Sequence, residues 1–224
     1  MAARSYGQYC GITAAVELVA ERWALLIIRD LLVGPRRYTD LNRGLPRIPT
    51  NILSARLKEL QDGGVIRRVA LRSCGLVYEL TDYGRELEPI VLALGRWGFA
   101  SLGDPKDDDI VTADSLTMAL RTAFRPERAT VALDFQIQLD AVALRGQVNG
   151  GALTIVQIAP PAAPIGGALP SGEPQLQFVT GPAIRHLIAG RLTAAAAVEQ
   201  GVVTLLRGNV KLLERFAKLF RIDA

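Results

Sequence analysis

Asn51, Ser54 and Lys58 stand three and four residues apart in the stretch RIPTNILSARLKELQDGGVIRR, Arg47 to Arg68. On an α-helix that spacing puts the three side chains, with Ala55, on one face. Amide, hydroxyl and ammonium groups so arranged can exchange hydrogen bonds with base edges and phosphates, because a helix fits the major groove of B-DNA. Leu53, Leu57 and Leu60, with Ile52 beside them, form an apolar stripe on the other side that would hold such a helix down. Pro49-Thr50 predicts the start of the helix, with Thr50 as its N-cap, and Gly63-Gly64 predicts its end.

Charge supports the same chemistry. Between Gly34 and Arg72 nine basic residues face three acids, a net of +6, while the whole chain carries +4. A basic stripe confined to one part of a chain is the electrostatic footprint of a phosphate-binding surface. Thr50, Asn51, Ser54 and Arg56 are expected near base edges or adjacent phosphates, Lys58 on a phosphate, Arg36 and Arg37 on the backbone, and Arg72 at the tip of a hairpin. Phosphate contacts supply affinity and base contacts supply selectivity.

Other chemistry finds little to work with. Cys10 and Cys74 are too few and too far apart for a disulfide framework or a zinc cluster, and His186 is the single histidine. No nucleophile or metal constellation emerges, so no catalytic residue, cofactor or metal is expected. No run approaches the roughly 20 apolar residues of a membrane helix, and MAARSYGQYC lacks a secretory h-region. The expectation is a cytoplasmic protein with no membrane partner.

The 224 residues, half of them apolar, allow two domains. In TAAVELVAERWALLIIRDLLVG the apolar residues recur at helical period, with Glu21-Arg22 marking a break into two helices. A short helix with Thr39 as N-cap follows in YTDLNRGL, then the stretch above. VIRRVALRSCGLVYEL reads as two strands, Val65 to Leu71 and Leu76 to Leu80, and Thr81 caps a long helix. Helix, helix, helix, hairpin, helix is the order of a winged helix-turn-helix.

GDPKDDDIVTAD is the best linker. The boundaries drawn are residues 1–102 for the first domain, 103–113 for the linker and 114–224 for the second. Beyond the linker, TVALDFQIQLD alternates as a half-buried strand with Val131, Leu133, Phe135, Ile137 and Leu139 on one side. A hairpin is predicted about Asn149-Gly150-Gly151, a Pro/Gly-rich loop from Pro160 to Pro174, then strand, helices, strand and a last amphipathic helix. The fold class is α+β, with about five strands and flanking helices in the second domain.

The segments VAERWALLIIRDLLVGPRRYTDLNRGLPRIPTNILSARLKELQDGGVIRR, VYELTDYGREL and LGRWG resemble the HxlR-type bacterial transcription regulators, a branch of the winged helix-turn-helix proteins. The resemblance implies a regulator that binds double-stranded DNA at a palindromic operator, more commonly a repressor. It also implies a homodimer formed through the first helix and the helix after the wing, around Val16, Leu87, Ile90, Leu94 and Trp97. Cys10 occupies the place of a cysteine often found in the family, which in some members senses oxidants or electrophiles.

LDFQIQLDAVALRGQVNGGALTI, TGPAIRHLIAGRLTAAAAVEQGVVTLLRG and KLLERFAKLF resemble, more loosely, the sterol-carrier-protein fold. That resemblance implies an apolar cavity for a hydrophobic small-molecule effector, lined by some of Phe124, Phe135, Phe178, Ile184, Leu187 and Leu206, or else a support for the dimer. Arg185 and His186 could anchor such a ligand. A plain core without a cavity is the structural alternative. The rival function is a lipid or small-molecule carrier whose basic domain docks on an acidic partner.

Overall fold

Glu21-Arg22 does interrupt the first apolar run. A computed structural model describes residues 5–71, 75–106, 108–159 and 171–223, and in it α1 (Gly11–Val19) and α2 (Ala24–Val33) are separate helices. The turn between them ends at Trp23, whose φ of 81° is left-handed for a residue with a side chain, at a cost on the order of 1 kcal/mol. The Arg22 guanidinium lies 5.4 Å over its ring.

The next helix, α3 (Tyr38–Gly44), is started by Asp40, whose carboxylate accepts the Arg37 backbone N–H at 3.0 Å. Thr39, expected as the cap, lies inside the first turn. The start of α4 (Thr50–Asp62) likewise lies earlier than expected, by one residue. The Pro49 carbonyl already accepts the Leu53 amide at 2.9 Å, so Pro49 is the cap and Thr50 the first helical residue. Strands β1 (Ile66–Leu71) and β2 (Gly75–Leu80) pair antiparallel, Ile66 opposite Leu80 and Leu71 opposite Gly75.

Thr81 caps as expected, accepting the Gly84 N–H at 3.0 Å, but the helix it opens is short. It ends as α5 (Asp82–Arg85), and α6 (Glu88–Ser101) starts again after Leu87. Pro89 explains the break: it has no N–H to donate to the Arg85 carbonyl, and its ring crowds that turn.

The chain divides into two compact units, with Val91 closing the first and Leu92 opening the second. In the first, Ile27, Ile28 and Leu31 of α2 are buried with Leu41, Leu53, Leu57, Leu60, Ile66, Val77 and Leu80. A Cβ on Gly63 would collide with Leu18, so that glycine lets α1 approach the end of α4. A Cβ on Gly84 would meet the Val65 carbonyl.

The second unit contains α7 (Ala113–Ala123), β3 (Leu133–Leu139), β4 (Val142–Asn149), β5 (Ala152–Ala159), β6 (Leu176–Thr180), α8 (Arg185–Ile188), α9 (Ala194–Glu199), β7 (Val203–Arg207) and α10 (Val210–Leu219). The five strands form one sheet in the order β5-β4-β3-β6-β7, with β3 parallel to β6 and the other neighbours antiparallel. Gly150 and Gly151 form the two-residue turn between β4 and β5, with φ of 55° and 83°, the left-handed pair that a tight hairpin demands. Alternation buries Leu133, Phe135, Ile137 and Leu139, whereas Val131 precedes the strand and is exposed.

Phe135 sits opposite Gly146, whose missing side chain leaves room for the ring. Edge-on contacts with Phe216 and Phe220, both at 5.1 Å between centroids, complete its surroundings.

Candidate nucleic-acid interface

The apolar stripe of α4 does what its spacing predicts. Leu53, Leu57 and Leu60 are buried, which turns Asn51, Ser54 and Lys58 outward to solvent. Asn51 is exposed and its amide has no hydrogen-bond partner among the described residues. Thr50 is exposed at the start of the same helix. The Ser54 hydroxyl donates to the Thr50 carbonyl at 3.0 Å and lies 3.3 Å from the Tyr38 hydroxyl, which donates to that carbonyl at 2.9 Å. Tyr38 therefore ties α3 to the first turn of α4. No period in the sequence announces this contact, because it joins residues of different helices.

Lys58 is 75% exposed and pairs with Asp62 at 2.6 Å. An exposed pair of this kind is worth only about 0.3–0.5 kcal/mol, so the ammonium can exchange it for a phosphate.

The arginines divide differently from expectation. Arg56 lies on the flank of α4, its side chain 16% exposed, and pairs with Glu21 at 3.4 Å and with Glu59. It joins the α1–α2 turn to α4 and is not on the face of Asn51 and Ser54. Arg36 is 4% exposed; its guanidinium donates to the Pro35 carbonyl at 2.9 Å, and its backbone exchanges two hydrogen bonds with Tyr78 of β2. That bridge fastens the hairpin to the segment before α3, so Arg36 is placed as a structural residue.

Arg37 is half-buried at the start of α3. On the hairpin, Arg67 and Arg68 are exposed: Arg67 pairs with Glu79 at 2.7 Å, and Arg68 stacks 5.8 Å over the Tyr78 ring. Arg72, expected at the hairpin tip, lies outside the described residues, as do Cys74 and residues 160–170 of the Pro/Gly-rich loop.

A helix held by buried leucines, presenting an unpartnered amide and a hydroxyl beside a basic two-stranded wing, is the geometry of a DNA-reading helix. A family model for HxlR-like helix-turn-helix proteins matches residues 18–105. The uncharacterized HTH-type transcriptional regulator YvaP of Bacillus subtilis (strain 168) is 36% identical over 85 residues, 37% of this chain and 79% of that protein. The chain belongs to the HxlR-like helix-turn-helix family. YtcD, another uncharacterized HTH-type transcriptional regulator of the same organism, is 35% identical over 89 residues, covering 39% of this chain and 71% of its own length. A crystal structure of YtcD aligns with 33% identity and a TM-score of 0.39, over 41% of this chain and 96% of that one.

Cys10 of this HxlR-like chain is exposed immediately before α1. The backbone N–H groups of Thr13 and then Ile12 hold its thiol below the ordinary value. In the second unit, Phe135, Phe178, Ile184 and Leu187 are buried against one another and their neighbours, Phe124 is half-buried 5.7 Å from Phe220, and Leu206 is 55% exposed. Leu206 thus points to solvent, not into the core, because it takes an outward position on β7. Arg185 and His186 are turned to the segment after α6: Arg185 donates to the Gly103 carbonyl, and His186 Nε2 lies 3.7 Å from the Asp104 carboxylate.

Among the described residues no helix is long and apolar enough to cross a membrane, and no group of three or more His, Cys, Asp or Glu side chains could hold a metal ion.

Proposed function

We propose that the chain is a DNA-binding transcription regulator, a repressor by mode, that reads a palindromic operator in the cytoplasm as a homodimer. The observation that carries the reading is the outward amide of Asn51 beside the Ser54 hydroxyl on a helix fixed by Leu53, Leu57 and Leu60. Asn can bond adenine in the major groove through its amide, and Ser can bond several bases. Thr50 and Lys58 flank them for phosphates. Arg37 and Arg72 extend the basic surface, while Arg36 and Arg56 act by holding the wing and α4 in place.

Two copies would present two such helices to half-sites about 34 Å apart. Helices α1 and α6 support this assembly: neither buries a residue within the chain, and Ile12, Val16, Ile90, Leu94 and Trp97 are exposed, Trp97 by 79%. Exposed apolar side chains concentrated on helices mark an interaction surface.

The second unit is read as a sterol-carrier-like domain from the resemblance of its sequence, and its role as either the binding of a hydrophobic effector or the support of the dimer. Its packed core of Phe135, Phe178, Phe216 and Phe220 favours support, since an effector there would have to displace side chains already in contact. An effector changes DNA affinity only to the extent that it binds the two states differently.

The test is binding of the full chain to a duplex selected from a random pool and to its scrambled counterpart. A preference that falls with salt and vanishes in the Asn51→Ala, Ser54→Ala double variant supports the reading. Binding blind to sequence would return the carrier alternative.

An oxidant or electrophile input at Cys10 belongs to the same reading. Its thiol should alkylate with iodoacetamide at neutral pH faster than a free cysteine peptide, because a lowered pKa leaves more thiolate. A rate equal to that of the peptide removes the sensing role.

A further inference from the structure

Among the cations of the second unit one group stands apart. Arg125 pairs with Asp223, Arg145 with Asp134, Arg185 with Asp104, Arg207 with Glu173, and Arg221 with Asp223. Arg128, Lys211, Arg215 and Lys218 have no ion pair or side-chain hydrogen bond among the described residues. All four nevertheless line a single groove of about 270 Å³, where Glu214 is the lone acid. Their spacing explains the convergence. Lys211, Arg215 and Lys218 lie three and four residues apart on the polar side of α10, whose apolar side buries Leu213, Phe216 and Leu219. Arg128 faces them from the 3₁₀ turn Pro126–Arg128.

The two walls are fastened together. The Arg125 N–H donates to the Leu219 carbonyl at 2.8 Å, its Nε donates to the Arg221 carbonyl at 2.9 Å, and the Arg221 N–H donates to the Ala123 carbonyl at 2.7 Å. A groove held in this way loses little freedom when it is filled. Four cations against one acid repel one another, and a bound anion relieves that repulsion.

We propose that this groove is a binding site for a small organic phosphate, its phosphate oxygens held by Lys211, Arg215, Lys218 and Arg128. Thr130 adds a hydroxyl at the rim. Buried Leu219 and half-exposed Val131 provide an apolar surface for the organic part. Concavity favours a small molecule over a nucleic-acid backbone: the volume is near the lower end of small-ligand pockets, and a double helix lies on a surface and does not enter a hollow closed on two sides. The site shares no residue with the DNA-reading face, so it stands or falls separately from the regulator reading.

The test uses the full chain with phenyl phosphate, inorganic phosphate and neutral phenol as probes, followed by calorimetry and by backbone amide shifts at constant salt. Phenyl phosphate should bind more tightly than inorganic phosphate, phenol should not bind, and the shifts should centre on Thr130, Val131 and Lys218. The Lys211→Gln, Lys218→Gln double variant should bind phenyl phosphate about tenfold or more weakly, since it removes two of the four cations and their charge-assisted hydrogen bonds. Its thermal midpoint should not fall, because both side chains are exposed and their loss relieves repulsion in the groove. Arg128→Gln should weaken binding from the opposite wall. Equal binding by variant and wild type would overturn the proposal. So would failure of phenyl phosphate to bind while the double variant loses affinity for duplex DNA of any sequence, which would assign the cations to a nucleic-acid backbone.

Discussion

The outer face of α4 and the underside of the five-stranded sheet satisfy their polar groups in opposite ways. Asn51 keeps an amide with no partner in the described chain, whereas Asp134 is surrounded. Arg145 donates to it through Nε and Nη2, both at 2.8 Å, Gln147 donates at 3.0 Å, and the remaining Arg145 nitrogen donates to the Gly172 carbonyl at 2.8 Å. Capacity left open in water costs little and stays available to a partner, while buried capacity must be filled within the fold. The contrast separates residues that choose a partner from residues that keep the structure, and substitutions should respect it.

The largest effect is expected inside the sheet unit. Arg145→Ala removes a nearly buried guanidinium and leaves Asp134 uncompensated, which should lower stability by about 3–5 kcal/mol in urea unfolding. Burial alone would push the Asp134 carboxyl up, but the Arg145 and Gln147 hydrogen bonds outweigh it and hold the carboxyl below its usual value. A carboxylate depressed in the fold contributes stability above its unfolded pKa and loses it as pH falls through the folded one. Wild type should therefore lose stability below about pH 4, a component that Asp134→Asn should lack. Identical acid profiles for wild type and Asp134→Asn would break the contrast from this side.

A middle effect is expected at Arg56, which sits on the reading helix but is turned to Glu21 and Glu59. Arg56→Ala should lower thermal stability by about 1 kcal/mol and leave base preference intact. A changed preference at one operator position, with unchanged stability, would move Arg56 back among the readers. The smallest effect is expected at Lys58. Its alanine variant should stay within about 0.5 kcal/mol in stability, weaken all duplexes alike, and reduce the salt dependence by about one counterion.

Local signals were legible where the chain states them locally. Glu21-Arg22 marked the break between α1 and α2, the leucine period marked α4, and Gly150-Gly151 marked the hairpin between β4 and β5. The misplaced details are ones that one more neighbour decides. Thr50 lost the cap because the Pro49 carbonyl had already taken the Leu53 amide, and Pro89 divided a helix that apolar period alone would have continued. What was not legible was tertiary. Arg36 reads as a surface cation until its backbone pairs with Tyr78, Arg56 reads as a base contact until Glu21 arrives from thirty-five residues earlier, and the groove cations reveal themselves only when α10 faces Arg128.

The proposed division of α4 is that Asn51 and Ser54 choose the DNA while the leucines beneath them keep the helix. The decisive comparison is of wild type with the Asn51→Ala, Ser54→Ala variant on selected and scrambled duplexes, at several salt concentrations, beside urea unfolding of both proteins. The preference for the selected duplex should fall by about 1–3 kcal/mol per lost base contact, with scrambled-duplex binding unchanged and stability within about 0.5 kcal/mol of wild type. A variant that still prefers the selected duplex by the full margin would contradict it.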